Sequence, residues 1–269
     1  MAVPKNPISA PAMDDAPTIC AISLLSTIGA DVLHEALGHA ALALITGTQS
    51  GVLSTVAWSS VFDSRLVAAG GTVVNIAAGL IFWLALRIPT STSPRWRFFL
   101  FTSLAFNLFA GTGYFFFSGV TDFGDWSAVI AGMSPHWLLR GLLIAVGIAA
   151  YYTAVRIVGA ALVRYVGVQQ DDLSRMRKLT LLPYLSSIFL LCAAGLMNPI
   201  GIQLVWQSAL PAAAGAQSGL LWMRYYIPKS VIPERESEVI GRDYAWIAVA
   251  AILSLLFIFV LGRGIPLHR

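Results

Sequence analysis

Long stretches almost free of charge recur along this chain, near 18–46, 65–87, 98–119, 137–163, 180–198, 201–223 and 244–262. Each is long enough for an α-helix to cross a hydrocarbon layer of about 30 Å. In lipid a backbone must satisfy its own hydrogen bonds, so such stretches are confined to helices. The composition agrees: 57% of residues are hydrophobic and 11% charged, with a mean hydropathy of +0.76, which excludes an ordinary soluble domain. The fifth and sixth stretches form one run divided at Asn198-Pro199, so six and seven helices are both open. Seven is the count adopted, with a hairpin turn at that dipeptide. Gln203 and Gln207 just beyond it would alternatively line a cavity in a broken helix. The expected class is an all-α polytopic membrane protein with the lipid bilayer as its surroundings.

The first residues, MAVPKNPISAPAMDDA, lack the basic-then-apolar order of a cleaved signal peptide, so the first helix is expected to be retained. Cys20 and Cys192 both fall in apolar stretches, which supports neither a disulfide framework nor a thiolate metal site. The net charge of +4 comes from arginines between the apolar stretches and points to no nucleic-acid partner. Arg87, Arg95, Arg97, Arg164, Arg175, Arg177 and Lys178 lie on one side of the expected topology, Arg65 and Arg140 on the other. By the positive-inside rule the first side is cytoplasmic, together with the N-terminus, Lys5 and the charged loop 228–243. Arg140 and Arg156, near the two ends of the fourth stretch, are expected to snorkel to the interfaces.

Within the first apolar stretch stands His34-Glu35-Ala36-Leu37-Gly38-His39, the one place where two histidines and a carboxylate crowd together. Two imidazoles can hold a metal while an adjacent glutamate takes a proton from water. The usual zinc motif places its histidines four apart; here the separation is five. On a regular α-helix, residues five apart lie about 140° apart around the axis and could not share an ion. A π-type turn would bring them into line, and Gly38 is suited to absorb the distortion. A second grouping, Asp31, Glu35 and His39, follows i, i+4, i+8 and shares a face without any π turn; there Glu35 would be a ligand.

A third ligand must come from the same depth. The third stretch runs parallel to the first and closes on Thr121-Asp122-Phe123-Gly124-Asp125, so Asp122 and Asp125 arrive at the same end as the histidines. Asp125 is preferred because Gly124 frees the backbone to turn inward; helix capping is the competing role for both. His136, beside Trp137, reads as an interfacial histidine. Between the first two stretches, residues 46–60 are rich in β-branched and small polar side chains and read as a strand or hairpin. Its edge, with Val52, Ser54 and Val56, could hold an extended substrate. Asn75 and Asn107 are further candidate substrate contacts, with hydrogen bonding between helices as their competing role.

HEALGHAALAL, the strand-like connection, the Gly70-Gly71…Asn75 helix and the aspartate–glycine element ending the third helix together resemble the membrane-embedded metallopeptidases of the site-2 protease type, over roughly residues 18–130. The resemblance implies a zinc site with His34 and His39 as ligands, Asp122 or Asp125 as the third, and Glu35 as base. The chain departs from that family in its longer histidine spacing and in Thr-Asp-Phe-Gly-Asp standing for Leu-Asp-Gly. The longer hexapeptide is similar to the one in dipeptidyl-peptidase III enzymes, a likeness of six residues. Family members commonly place the metal nearer the cytosol, whereas the arginine distribution here places it toward the outside.

The expected organisation is a tail (1–17), a three-helix catalytic core (18–136) and accessory helices (137–269). The expected function is an intramembrane zinc peptidase cleaving membrane-protein or peptide substrates, in a cell membrane of bacterial type. The alternative is a non-peptidase metal protein, either an enzyme on lipids or small molecules or a transporter.

Overall fold

The computed structural model describes residues 13–48, 50–60, 64–88, 93–163, 170–226 and 239–268. Lys5, Arg164 and most of the charged loop 228–243 lie outside them. Six helices among the described residues are long and apolar enough to cross a membrane. They are α1 (Ala16–Thr46), α2 (Arg65–Arg87), α3 (Pro94–Thr121), α5 (His136–Leu162), α6 (Gln170–Leu196) and α8 (Tyr244–Phe259, extended by a 3-10 turn to Arg263). A short helix, α4 (Asp125–Ile130), follows α3.

The seventh expected helix, over 201–223, is not among those six. Its place is taken by a helical path, α7 (202–226), whose bonding changes from α to π over Val205–Ala209 and Pro211–Gly215, to 3-10 over Ala216–Ser218, and back to α over Gly219–Tyr226. Pro211 lacks the N–H that a regular ladder needs, and Gln203, Gln207 and Gln217 dilute its hydropathy. The chain nevertheless crosses the bundle here. Gly195, late in α6, lies against Val205 and Ala209, and Tyr184, earlier in α6, bonds to Ala214 O, so α7 runs back antiparallel along α6. Among the described residues α7 thus returns along the bundle, and α8 begins at the end where α1 begins, with Asp243 N bonded to Thr18 Oγ1 at 3.0 Å.

Helix starts follow their capping residues. Asp15 accepts from Thr18 N at 3.0 Å, Ser64 from Val67 N at 3.3 Å, Ser93 from Trp96 N at 3.4 Å and Asp243 from Ala245 N at 3.0 Å. α3 is the central helix: two-thirds (67%) of its most apolar window is buried, against 17% for α8. Phe98, Phe101, Leu104, Phe106 and Phe109 are its largest fully buried side chains. Large apolar side chains such as Ile81, Trp137, Ile148 and Leu255 face outward, an arrangement that lipid, unlike water, does not penalise.

The two ends of the bundle carry different charged groups. At one end Arg175 pairs with Asp14 at 2.5 Å, Arg242 with Asp15 at 3.0 Å and Arg95 with Asp243 at 3.3 Å. The opposite end carries Arg65, Arg140 and Arg263. There too lies a three-stranded antiparallel sheet, β1 (Ser50–Ser54), β2 (Ala57–Ser60) and β3 (Ile265–His268), in the order β2-β1-β3. The expected hairpin is present, but β1 is its centre: Val52 pairs with Ser59 on one side and Pro266 on the other. The edge proposed for a substrate is thus filled at Val52 by the chain's own β3, a pairing between residues more than 200 apart that local pattern does not reveal.

Candidate metal centre

Around the histidines the helix α1 changes character: residues Leu33–Ala41 form a π-helix. This is the distortion that five-residue spacing requires, whereas Asp31, Glu35 and His39 do not form a group of converging ligand atoms among the described residues. The distortion is matched by an unusually close approach of α2. A Cβ on Gly38 would collide with the Gly71 backbone, one on Gly70 with Gly38 O, and one on Gly71 with both imidazole Nε2 atoms, 2.5 Å away in the case of His34. Three glycines therefore let the backbones touch and leave room for two rings between them.

His34, His39 and Asp125 form the one group of three potential ligands among the described residues, with ligand atoms all within 4.8 Å of one another. His34 Nε2 and His39 Nε2 lie 3.2 Å and 3.4 Å from the same oxygen, Asp125 Oδ2. Ligands about 2.1 Å from a tetrahedral ion are separated from each other by roughly 3.4 Å, which both nitrogen–oxygen distances match. The outer nitrogens are committed elsewhere: His34 Nδ1 to Asn75 Oδ1 at 2.5 Å and His39 Nδ1 to Val67 O at 2.8 Å. Both partners are acceptors, so both Nδ1 atoms carry the proton, and the Nε2 lone pairs of neutral rings then converge on a carboxylate oxygen. His34 Nε2 and Asp125 Oδ2 accordingly have no hydrogen-bond partner. Lone pairs meeting in a buried site call for a cation; the other remedy, two adjacent buried imidazoliums with ring centroids 4.8 Å apart, sets like charges together out of water.

Asp125 reaches this point through the turn after α3. Asp122 is left-handed (φ 55°) and Gly124 adopts φ 83°, reversing the chain. Trp126 then anchors α4, its backbone N–H bonding to Ser118 Oγ at 3.3 Å and its indole to Thr72 Oγ1 at 3.1 Å. Asp122, the other candidate ligand, points away: it accepts from His136 Nε2 at 3.0 Å and Ser127 Oγ at 3.1 Å, with Arg140 at 3.6 Å. His136 serves that surface cluster and lies apart from the metal group.

Asn75 and Asn107, candidate substrate contacts from the sequence, take up the competing role of hydrogen bonding between helices. Asn75 Nδ2 donates to Ala30 O at 3.0 Å and Asn107 Oδ1 at 2.8 Å while its oxygen faces His34, and Asn107 Nδ2 donates to Ser103 O at 2.8 Å. All their polar atoms are engaged in a buried relay that orients the His34 ring. Val56, offered with Val52 and Ser54 as a strand contact, instead occupies the hairpin turn and is buried. Its φ of 53° is costly for a β-branched residue. Its N–H donates to Asp31 Oδ1 at 3.1 Å, and its carbonyl accepts from Ser208 Oγ at 2.7 Å, which fixes the turn over the site.

Glu35 is 3% exposed, takes a hydrogen bond from the Trp58 backbone, and keeps Oε2 without a partner. It borders a chamber of about 40 Å³ together with Asp31, His34, Tyr114, Ser187 and Gln217, enough for a water molecule. Tyr114, Ser187, Ser208 and Gln217 were not singled out in the sequence. Tyr114 stacks on His34 at 4.9 Å, but it is one aromatic residue among many on α3, and the others sit in stretches without a chemical motif. Comparison with protein-family models, curated proteins and solved structures finds no match to this chain.

Proposed function

We propose that this chain is an intramembrane zinc-dependent hydrolase of the peptidase kind. The observation carrying this reading is the convergence of His34 Nε2 and His39 Nε2 on Asp125 Oδ2 at tetrahedral-edge distances, beside a buried glutamate with a free oxygen. His34, His39 and Asp125 would hold the ion, with Asn75 and Val67 O fixing both rings. Zinc bound there would supply Lewis acidity to a carbonyl and to a water. Glu35, which lines the chamber and keeps Oε2 without a partner, would take the proton of that water and pass it to the leaving amine. With β1 paired on both sides, an extended substrate would lie along the outer edge of β2, whose Trp58 backbone already contacts Glu35. The arginine asymmetry supports a site turned away from the cytoplasm of a cell membrane.

Elemental analysis of the purified protein tests the centre: about one zinc per chain is expected, lost in the His34→Ala/His39→Ala double variant. Metal held stoichiometrically by that variant would overturn the assignment. Glu35→Gln should retain the metal and lower cleavage of a quenched fluorescent peptide library by at least about 10²-fold. Release of metal by Glu35→Gln would make Glu35 a ligand instead.

A further inference from the structure

A second cavity, of about 490 Å³, lies between α3, α5 and α7 in the middle of the bundle. Phe116, Val120, Ile148, Tyr152 and Trp222 line it and are exposed on the outer surface of membrane-spanning segments, so its mouth opens sideways toward lipid. Tyr114 borders both this cavity and the chamber beside Glu35. Its size falls within the range of about 300–1,000 Å³ typical of small-molecule sites.

The lining decides what can occupy it. Among the described residues no carboxylate, lysine, arginine or histidine contributes, and the hydroxyls are tied down. Tyr151 OH donates to Ala216 O at 2.5 Å and accepts from Gly219 N at 2.7 Å. Ser208 is bound to Val56 O, Thr121 to Phe117 O at 2.8 Å, Tyr152 to Arg156 at 3.2 Å, and Tyr114 to Ser208. An extended peptide would leave its own N–H and C=O groups unpaired against such walls. A helix, about 10–12 Å across with its side chains, would fill the volume in roughly one turn. A hydrocarbon chain incurs neither cost.

We infer that this cavity is a binding site for an acyl chain of a bilayer phospholipid, seated against Tyr114 and so within one side chain of the metal centre. The inference does not rest on the hydrolase reading and survives its failure. Gly215 offers the means to test it: it lines the cavity, has a helical φ of −68°, and a Cβ there meets nothing within 4 Å, so Gly215→Trp fills the space without backbone collision. Ile148→Trp, at the lipid-facing mouth, is an independent blocking variant. The full-length protein is reconstituted with phosphatidylglycerol carrying a photoactivatable acyl chain, and the cross-linked residues are mapped. Labelling is expected on 113–121, 147–155 and 208–222 in the unaltered protein. It should fall several-fold in both variants, while labelling on the outer face of α8 is unchanged. Cavity labelling equal in variant and parent, label confined to the outer faces of the helices, or a peptide found cross-linked within the cavity would each overturn it.

Discussion

Asn75 carries more of the site than its distance in sequence from the histidines suggests. Its oxygen fixes the proton on His34 Nδ1, and its amide ties α1 to α3 through Ala30 O and Asn107. Removing such a second layer typically weakens metal binding by about 10–100-fold. Asn75→Ala should therefore lower zinc affinity by that factor in chelator competition without abolishing the fold; unchanged affinity would remove the orienting role. A separate residue-level effect concerns Asp122, whose carboxyl is held below its ordinary value by hydrogen bonding from His136 and Ser127 and by the nearby Arg140 charge, against a smaller opposing effect of burial. A depressed carboxyl stabilises the folded state fully above the ordinary value of about 3.9 and loses that contribution as the pH falls through the folded-state value. Asp122→Asn should thus lower the unfolding temperature at neutral pH, and the gap to the parent should close as the medium is acidified below about pH 4. A gap constant with pH would show that the ion pair contributes nothing.

At the scale of elements, the metal centre depends on two helices touching. The π turn over Leu33–Ala41 rotates His39 toward His34, but the rings have space only because Gly38, Gly70 and Gly71 remove the side chains that would separate α1 from α2. Gly38→Ala forces the backbones apart, and overpacking of this kind costs about 1–3 kcal/mol. A lowered unfolding temperature together with weakened zinc binding is expected, and retention of both would show that the contact is not tight. The hairpin turn is a second element-level device: Val56, in a backbone conformation that favours glycine, is held between Asp31 on α1 and Ser208 on α7. The sheet is thereby fastened over the chamber by residues from opposite halves of the chain.

For the whole molecule, the proposed orientation puts the metal group at the end of the bundle away from the cytoplasm. A test uses a background without Cys20 and Cys192. Ser59→Cys, on the exposed part of β2, should react with a membrane-impermeant maleimide added to intact cells, and Ser174→Cys, exposed at the basic end of α6, should be protected. The reverse pattern would place the centre on the cytoplasmic side. Gly51 is unsuited to this purpose, because a side chain there collides with the Trp58 ring. The division into a catalytic core over 18–136 and accessory helices beyond is crossed by the site itself, since Ser187 and Gln217 line the chamber and β3 completes the sheet.

What the sequence alone determined is what rests on local periodicity and hydration. The apolar stretches, the basic end, the hairpin and the need for a π turn at His34-Glu35-Ala36-Leu37-Gly38-His39 each follow from residues close together in the chain. Asp125 over Asp122 was also legible, because Gly124 sits directly before it and its left-handed conformation is a local property. Tertiary structure decided the rest, because it depends on contacts between distant segments. That β3 fills the edge of β1, that Asn75 and Asn107 spend every polar atom on helix contacts, and that Tyr114 stands between a metal-site chamber and a lipid-facing cavity are consequences of packing, for which an apolar helix carries no local signal. The irregularity of α7 belongs to both: Pro211 announces it, but only α6 running antiparallel beside it makes the segment a crossing.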